Sequence, residues 1–211
     1  MKTDDLIDAL AAGLEPVAPA RMDPAWLCWA GGAATVAVAL FLGVRPDLTE
    51  ALQAPTPWLK AIYTALLAGA AIRLATRLGR PGVDARPAAA MLLAVVAAAA
   101  LWGGIETAMT PADQRMAGWL GGTWTVCGRN IVLASAFAAP LVFLSARKLA
   151  PTRPTAAGLA LGVAAGGIAA TAYGLLHCGE ATATFVATWY TLGVAAAGLI
   201  GAVVGRFALR W

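Results

Sequence analysis

Charged side chains are what this chain has least of. Fifteen Lys and Arg and eleven Asp and Glu make up 12% of 211 residues, against roughly a quarter in an average soluble domain. That scarcity excludes an Ala-rich soluble helical bundle, whose surface needs more polar groups than these. Histidine occurs once and cysteine three times, with no Cys-x-x-Cys pair. The spacing is therefore not a zinc motif, and a dithiol redox enzyme lacks its usual pair. A basic stripe is missing too. The net charge is +4, but Lys and Arg sit singly at the edges of apolar segments, so no direct nucleic-acid binding is expected. The first 25 residues hold Asp4, Asp5, Asp8, Glu15 and Asp23 and no apolar core. This is the reverse of a secretory signal peptide, and the segment is expected to belong to the mature chain.

What the chain has in excess is apolar surface, 60% of its residues. Eight Trp against three Tyr suit a bilayer, where indole rings settle at the headgroup level. A hydrocarbon core of about 30 Å takes roughly 20 apolar residues per helix, and six stretches qualify: Trp26 to Val44, Trp58 to Leu78, Ala88 to Glu106, Asn130 to Leu149, Thr155 to His177 and Thr184 to Phe207. Pro, Gly and charged residues separate most of them, as in Arg45-Pro46-Asp47 and Cys178-Gly179-Glu180. The second span carries Lys60 and Arg73 near its ends, close enough to snorkel. The expected fold is all-α: a polytopic membrane bundle of six transmembrane helices (26–211) preceded by a cytoplasmic N-terminal segment (1–25) with a short amphipathic helix.

Lys and Arg placement orients the bundle. With the N-terminus inside, the inner side receives Lys2, Arg21, Arg73, Arg77, Arg80, Arg86, Arg147, Lys148, Arg153, Arg206 and Arg210, and the outer side Arg45, Lys60, Arg115 and Arg129. Eleven against four predicts both termini in the cytoplasm. Gly158, Gly162 and Gly166 recur every four residues in the fifth span, and Gly193, Gly198, Gly201 and Gly205 mark the sixth. Such faces let helix backbones approach closely, either within one chain or between copies in an oligomer, the first being favoured. No inverted repeat of the transporter kind is visible.

Residues Met1 to Val17 read as an acidic amphipathic helix. Thr3 is the candidate N-cap, Asp4 and Asp5 suit the positive end of the dipole, and Leu6, Ile7, Leu10 and Leu14 form one apolar stripe. Interfacial helices carry Lys and Arg on their polar face, whereas this one would be repelled by anionic lipid. Docking on a basic soluble partner fits better than lying on the bilayer; packing against the chain's own loops is the alternative.

Cys28, near the inner end of the first span, reads as a small hydrophobe. Cys127 precedes the fourth span and Cys178 follows the fifth, so both fall at the outer face, at the ends of helices expected to be antiparallel neighbours. A disulfide, a reversible thiol pair, and a soft-metal site completed by His177 all remain open on topology alone. Arg129 stands close enough in sequence to favour a thiolate. Glu106 is expected to pair with Arg115 or Arg129, in a region shared with Trp102, Trp119 and Trp124.

The opening Met1-Lys2-Thr3-Asp4-Asp5-Leu6-Ile7-Asp8-Ala9-Leu10 with Pro16-Val17, the Cys127 region, Ala139-Pro140, and the run from Pro154 through His177-Cys178-Gly179-Glu180 to Phe185 and Trp189-Tyr190 resemble one family over nearly the whole chain: the NrsF-type negative regulators of sigma factor F. The resemblance implies a six-helix inner-membrane anti-sigma factor of a proteobacterium, not an enzyme. Such a protein holds an extracytoplasmic-function sigma factor at the membrane and releases it on oxidant or heavy-metal stress. It implies Cys127 and Cys178 as the sensing pair, with His177 and Glu180 secondary, and Asp4, Asp5, Leu6, Ile7 and Leu10 as the sigma-binding face. It implies no resident cofactor, only transient heavy-metal binding by Cys127 and Cys178. Two rivals stand beside it, a small transporter and a thiol-disulfide membrane enzyme. The first lacks polar residues at its span centres, Thr171 and Tyr173 apart, and the second lacks its Cys-x-x-Cys pair.

Overall fold

The computed structural model describes residues 3–12 and 19–209, and the described residues are helical with no strand. Helix α1 (Thr3–Ala11) is followed by α2 (Pro24–Leu42), a short α3 (Leu48–Ala51), α4 (Pro55–Leu78), α5 (Arg86–Met109), α6 (Ala112–Leu120), α7 (Trp124–Ser145), α8 (Pro154–Leu176) and α9 (Ala183–Ala208). Six helical stretches among them are long and apolar enough to cross a membrane, and each overlaps an expected span. The chain folds as an all-α membrane bundle.

Sequence explains most of the helix starts. Pro occupies the first or second position of α2, α4, α5 and α8, where its missing N–H costs nothing and its φ is already helical. Asp23 caps α2 by accepting from the Ala25 N–H at 3.0 Å. The last turn of α2 and residues 186–190 of α9 widen to π geometry. The fourth span departs from expectation. It runs Ala112–Ser145 but is split at Gly121, whose φ of 56° only glycine adopts readily. The split yields a separate short helix, α6. Helix α7 then starts at Trp124 rather than Asn130, so Cys127 lies inside its first turn instead of before it. Of the expected N-terminal helix, Thr3–Ala11 is helical with Thr3 as its first residue, while Met1, Lys2, Leu14, Pro16 and Val17 lie outside the described residues.

Helix α8 is the axis of the bundle. Of its most apolar 18-residue window 72% is buried, against 17% for the peripheral α5. Its glycines serve the interior of the chain. A Cβ on Gly205 would lie 2.5 Å from the Gly158 Cα, and one on Gly201 would lie 2.6 Å from the Gly162 Cα. On another face of α8, a Cβ on Gly167 would lie 2.8 Å from the Ala68 backbone nitrogen of α4. Without water to drive apolar helices together, backbone approach and dispersion hold such helices.

The two ends of the bundle are tied by hydrogen bonds between segments remote in sequence. At one end the Asp23 N–H donates to Ser145 O (2.9 Å), Ala150 N–H to Gly79 O (3.0 Å), and Arg80 Nε to Ala20 O (2.8 Å). The linker from α1 is thus anchored there. At the opposite end the Arg45 N–H donates to Leu176 O (2.8 Å), and Lys60 reaches the segment after α8. Cys28 is exposed on the outside of α2 and does not pack as an interior hydrophobe.

A candidate thiol site at the α7–α8 end

Cys127 is brought in by the first turn of α7, where its N–H donates to Thr123 O at 2.9 Å. Cys178 is brought in by the chain that leaves α8, its N–H donating to Tyr173 O at 3.0 Å. Both are free thiols and both are buried, 0% and 2% exposed. They face one another closely enough for the Cys127 thiol to hydrogen-bond to Cys178. The helices expected to be neighbours are neighbours, and the two cysteines meet.

Lys60 and Tyr190, absent from the expected site, complete it together with Glu180, which was expected beside the cysteines. Lys60, 1% exposed on α4, donates from Nζ to the carbonyls of Cys178 and Glu180, each at 2.8 Å. A buried ammonium with only carbonyl acceptors is a costly arrangement, so an anion nearby is favoured. The Glu180 carboxylate accepts from the Gly122 N–H (2.8 Å) and the Thr123 hydroxyl (3.0 Å), just before the start of α7. Lys60 therefore clasps the backbone of the segment that carries Cys178. Glu180 ties the same segment to the helix that carries Cys127. Tyr190, in the π stretch of α9, is fully buried, and its hydroxyl faces Cys178 within electrostatic reach of both sulfurs. Tyr173 stacks beside it, ring centroids 6.0 Å apart. A lysine in the first turns of a span is unusual, but nothing in the sequence pairs it with the Cys178-Gly179-Glu180 turn, whose acceptors are backbone carbonyls.

Cys178 lies beyond the end of α8, and its pKa is held below the usual thiol range. The Cys127 hydrogen bond is the largest cause; burial opposes it, and the Lys60 charge adds to the lowering. Arg45 contributes a second cation from the same side, its own charge fixed by an ion pair with Asp47 at 2.6 Å. Arg129 is exposed and takes no part.

His177 does not converge with the sulfurs. Its Nδ1 pairs with Gly43 O at 3.0 Å, and its ring lies on Tyr173. Among the described residues no group of three His, Cys, Asp or Glu is placed to hold a metal ion. Two adjacent sulfurs suit a thiophilic ion of low coordination number or a two-electron oxidant. They do not make a tetrahedral four-ligand site.

Glu106 also finds a different partner. Its carboxylate accepts from the N–H (2.9 Å) and hydroxyl (3.1 Å) of Thr184 at the start of α9, while Arg115 donates to the Thr110 and Ala108 carbonyls. Trp119, Trp124 and Trp189 cluster around α6, with Trp189 5.6 Å and 5.2 Å from the other two rings; Trp102 stands outside this group.

Helix α1 has no buried residue. Leu6, Ile7 and Leu10 are 42%, 56% and 67% exposed, on a helix whose first turn holds Asp4 and Asp5.

The family described as NrsF, negative regulator of sigma F, matches residues 10–211. Over the full length of both chains, this protein is 45% identical to the anti-sigma-F factor NrsF of Caulobacter vibrioides (strain NA1000 / CB15N). It is 36% identical, again over both full lengths, to the probable anti-sigma-F factor NrsF of Azospira oryzae. No solved structure is significantly similar.

Proposed function

The chain belongs to the NrsF family of negative regulators of sigma F, and from that premise we propose that it is a membrane anti-sigma factor. It holds an extracytoplasmic-function sigma factor at the bacterial inner membrane, with both termini in the cytoplasm, and releases it when Cys127 and Cys178 react at the outer face. The observation that carries this reading is the uncovered apolar stripe of α1. Leu6, Ile7 and Leu10 are exposed on an acidic helix, which matches a helix-in-groove partner with basic surroundings, as a nucleic-acid-binding sigma factor has. Asp4 and Asp5 supply the complementary charge.

The thiol pair supports the sensing half of the reading. A hydroperoxide takes two electrons from the pair: the Cys178 thiolate attacks the peroxide oxygen to give a sulfenic acid and an alkoxide, which takes up a proton. The Cys127 thiol then displaces water to leave a disulfide. A soft metal ion would instead be held by the Cys178 thiolate and by Cys127 after loss of its proton. In both cases the Cys127 hydrogen bond and the Cys178 anion beside Lys60 are lost. The clasp on the segment after α8 then holds a buried cation without its counter-charge, and the bundle is biased towards a second arrangement.

Co-purification tests the reading. Detergent-solubilised full-length protein should retain a sigma factor of the same cell, and removal of residues 1–17 should abolish the complex; undiminished binding without them would overturn the role of α1.

A further inference from the structure

At the end of the bundle opposite the thiols, a cleft of about 430 Å³ is lined by Arg77, Arg80, Arg86 and Arg153, with Asp84 and Thr152. Four guanidiniums against one carboxylate leave a local charge of +3. Asp84 is partly occupied, since it accepts from the Arg86 backbone N–H at 2.9 Å. The Arg45–Asp47 ion pair lies at the other end, and among the described residues none of these four arginines makes an ion pair with a carboxylate. Two of them are held in place by carbonyls: Arg77 donates to Asp84 O (3.2 Å) and Arg80 to Ala20 O (2.8 Å). Helices α5 and α8 both begin at the cleft, and the positive ends of their dipoles add to the field. A site so charged and so preorganised is built for a phosphate, which guanidinium forks bind in bidentate fashion.

We propose that this cleft binds the phosphodiester headgroup of an anionic phospholipid of the surrounding leaflet. Its place where the spans end, and the apolar side chains beside its arginines, select a lipid over a soluble phosphate. The cleft sits where three spans end, at Leu78, Arg86 and Pro154, which is the headgroup level of a bilayer. Leu78 and the exposed Val83 line it beside the arginines, giving the glycerol and first acyl carbons an apolar contact. Basic pockets between membrane helices recognise lipid headgroups in this way. Because Arg80 also holds Ala20, the bound lipid would brace the linker that carries α1.

Native mass spectrometry of the full-length protein with phosphatidylglycerol or phosphatidylcholine tests the proposal. Phosphatidylglycerol should bind, and phosphatidylcholine much more weakly. Among the described residues the Arg86 and Arg153 side chains have no hydrogen-bond or ion-pair partner, so R86Q/R153Q should fold and lose roughly 25-fold in phosphatidylglycerol affinity, about fivefold per charge. R86K/R153K should keep most of it, and R147Q/K148Q, outside the cleft at the same end, should change it by less than about twofold. Unchanged affinity in R86Q/R153Q would overturn the proposal, as would an equal loss in R147Q/K148Q, which would mean diffuse charge. Full displacement of the lipid by millimolar inorganic phosphate would make this a soluble-anion site and overturn the lipid assignment. So would loss of a co-purifying sigma factor in R86Q/R153Q with lipid binding intact, which would make it a protein interface.

Discussion

At Cys178 the influences on one thiol oppose each other: the Cys127 hydrogen bond favours the thiolate, burial disfavours it, and Lys60 favours it again. The net result is a pKa below the ordinary thiol value of about 8.5. A lowered pKa places the stabilising contribution of the thiolate above that ordinary value and removes it as pH falls through the folded-state value. The ultraviolet thiolate absorbance of wild type minus Cys178→Ser should therefore titrate below pH ~8.5. Cys127→Ala, which removes the donor, should move the midpoint upward; an unmoved midpoint would contradict the assigned cause. Glu180→Ala leaves the Gly122 N–H and the Thr123 hydroxyl without their acceptor. A lost charge-assisted bond of this kind is worth about 1.5 kcal/mol, or roughly tenfold in the population of an opened loop. Alkylation of Cys178 by a membrane-impermeant maleimide should quicken by about that factor, and an unchanged rate would show that Glu180 does not hold the site shut.

Among the elements, the α8–α9 contact is the one most dependent on missing side chains. A Cβ on Gly201 or Gly205 would stand within 2.6 Å of the facing glycine backbone, with no flexible neighbour to yield. Gly201→Val should cost about 1–3 kcal/mol and lower the thermal midpoint of the detergent-solubilised protein. Gly104→Val, on a glycine with nothing within 4 Å of a Cβ, should leave it nearly unchanged. The long spans were legible in the sequence because their apolar runs are long and Pro, Gly and charged residues separate most of them. Helix α6 was not. Its nine residues, from Ala112 to Leu120, include Asp113, Gln114 and Arg115, and what seats it is tertiary: Gly118 O accepts from the Thr182 hydroxyl at 2.7 Å and Trp119 O from Trp189 Nε1 at 2.8 Å. The start of α7 was misplaced for a related reason. The apolar run was expected to begin at Asn130, just after Arg129, yet Arg129 sits on the exposed face of a helix already under way.

On the scale of the whole molecule, the chain separates two chemistries. The thiols with Lys60, Glu180 and Arg45 occupy one end, and the linker to α1, held by Asp23 and Arg80, occupies the other. The meeting of Cys127 and Cys178 was readable from topology, since a short turn between two long spans makes them antiparallel neighbours. The part played by Lys60 was not, because its acceptors are backbone carbonyls 118 and 120 residues away, and the turn of His177 towards Gly43 follows from the same distant packing. The central claim is that chemistry at the thiol end changes sigma-factor binding at the other. Its most direct test is the affinity of the full-length protein, in lipid nanodiscs, for its sigma factor before and after treatment with a hydroperoxide. The account predicts a loss of about tenfold or more, within the usual range of allosteric coupling, in wild type and none in the Cys127→Ser/Cys178→Ser variant. Equal affinity before and after oxidation in wild type, with the disulfide verified by mass, would contradict it.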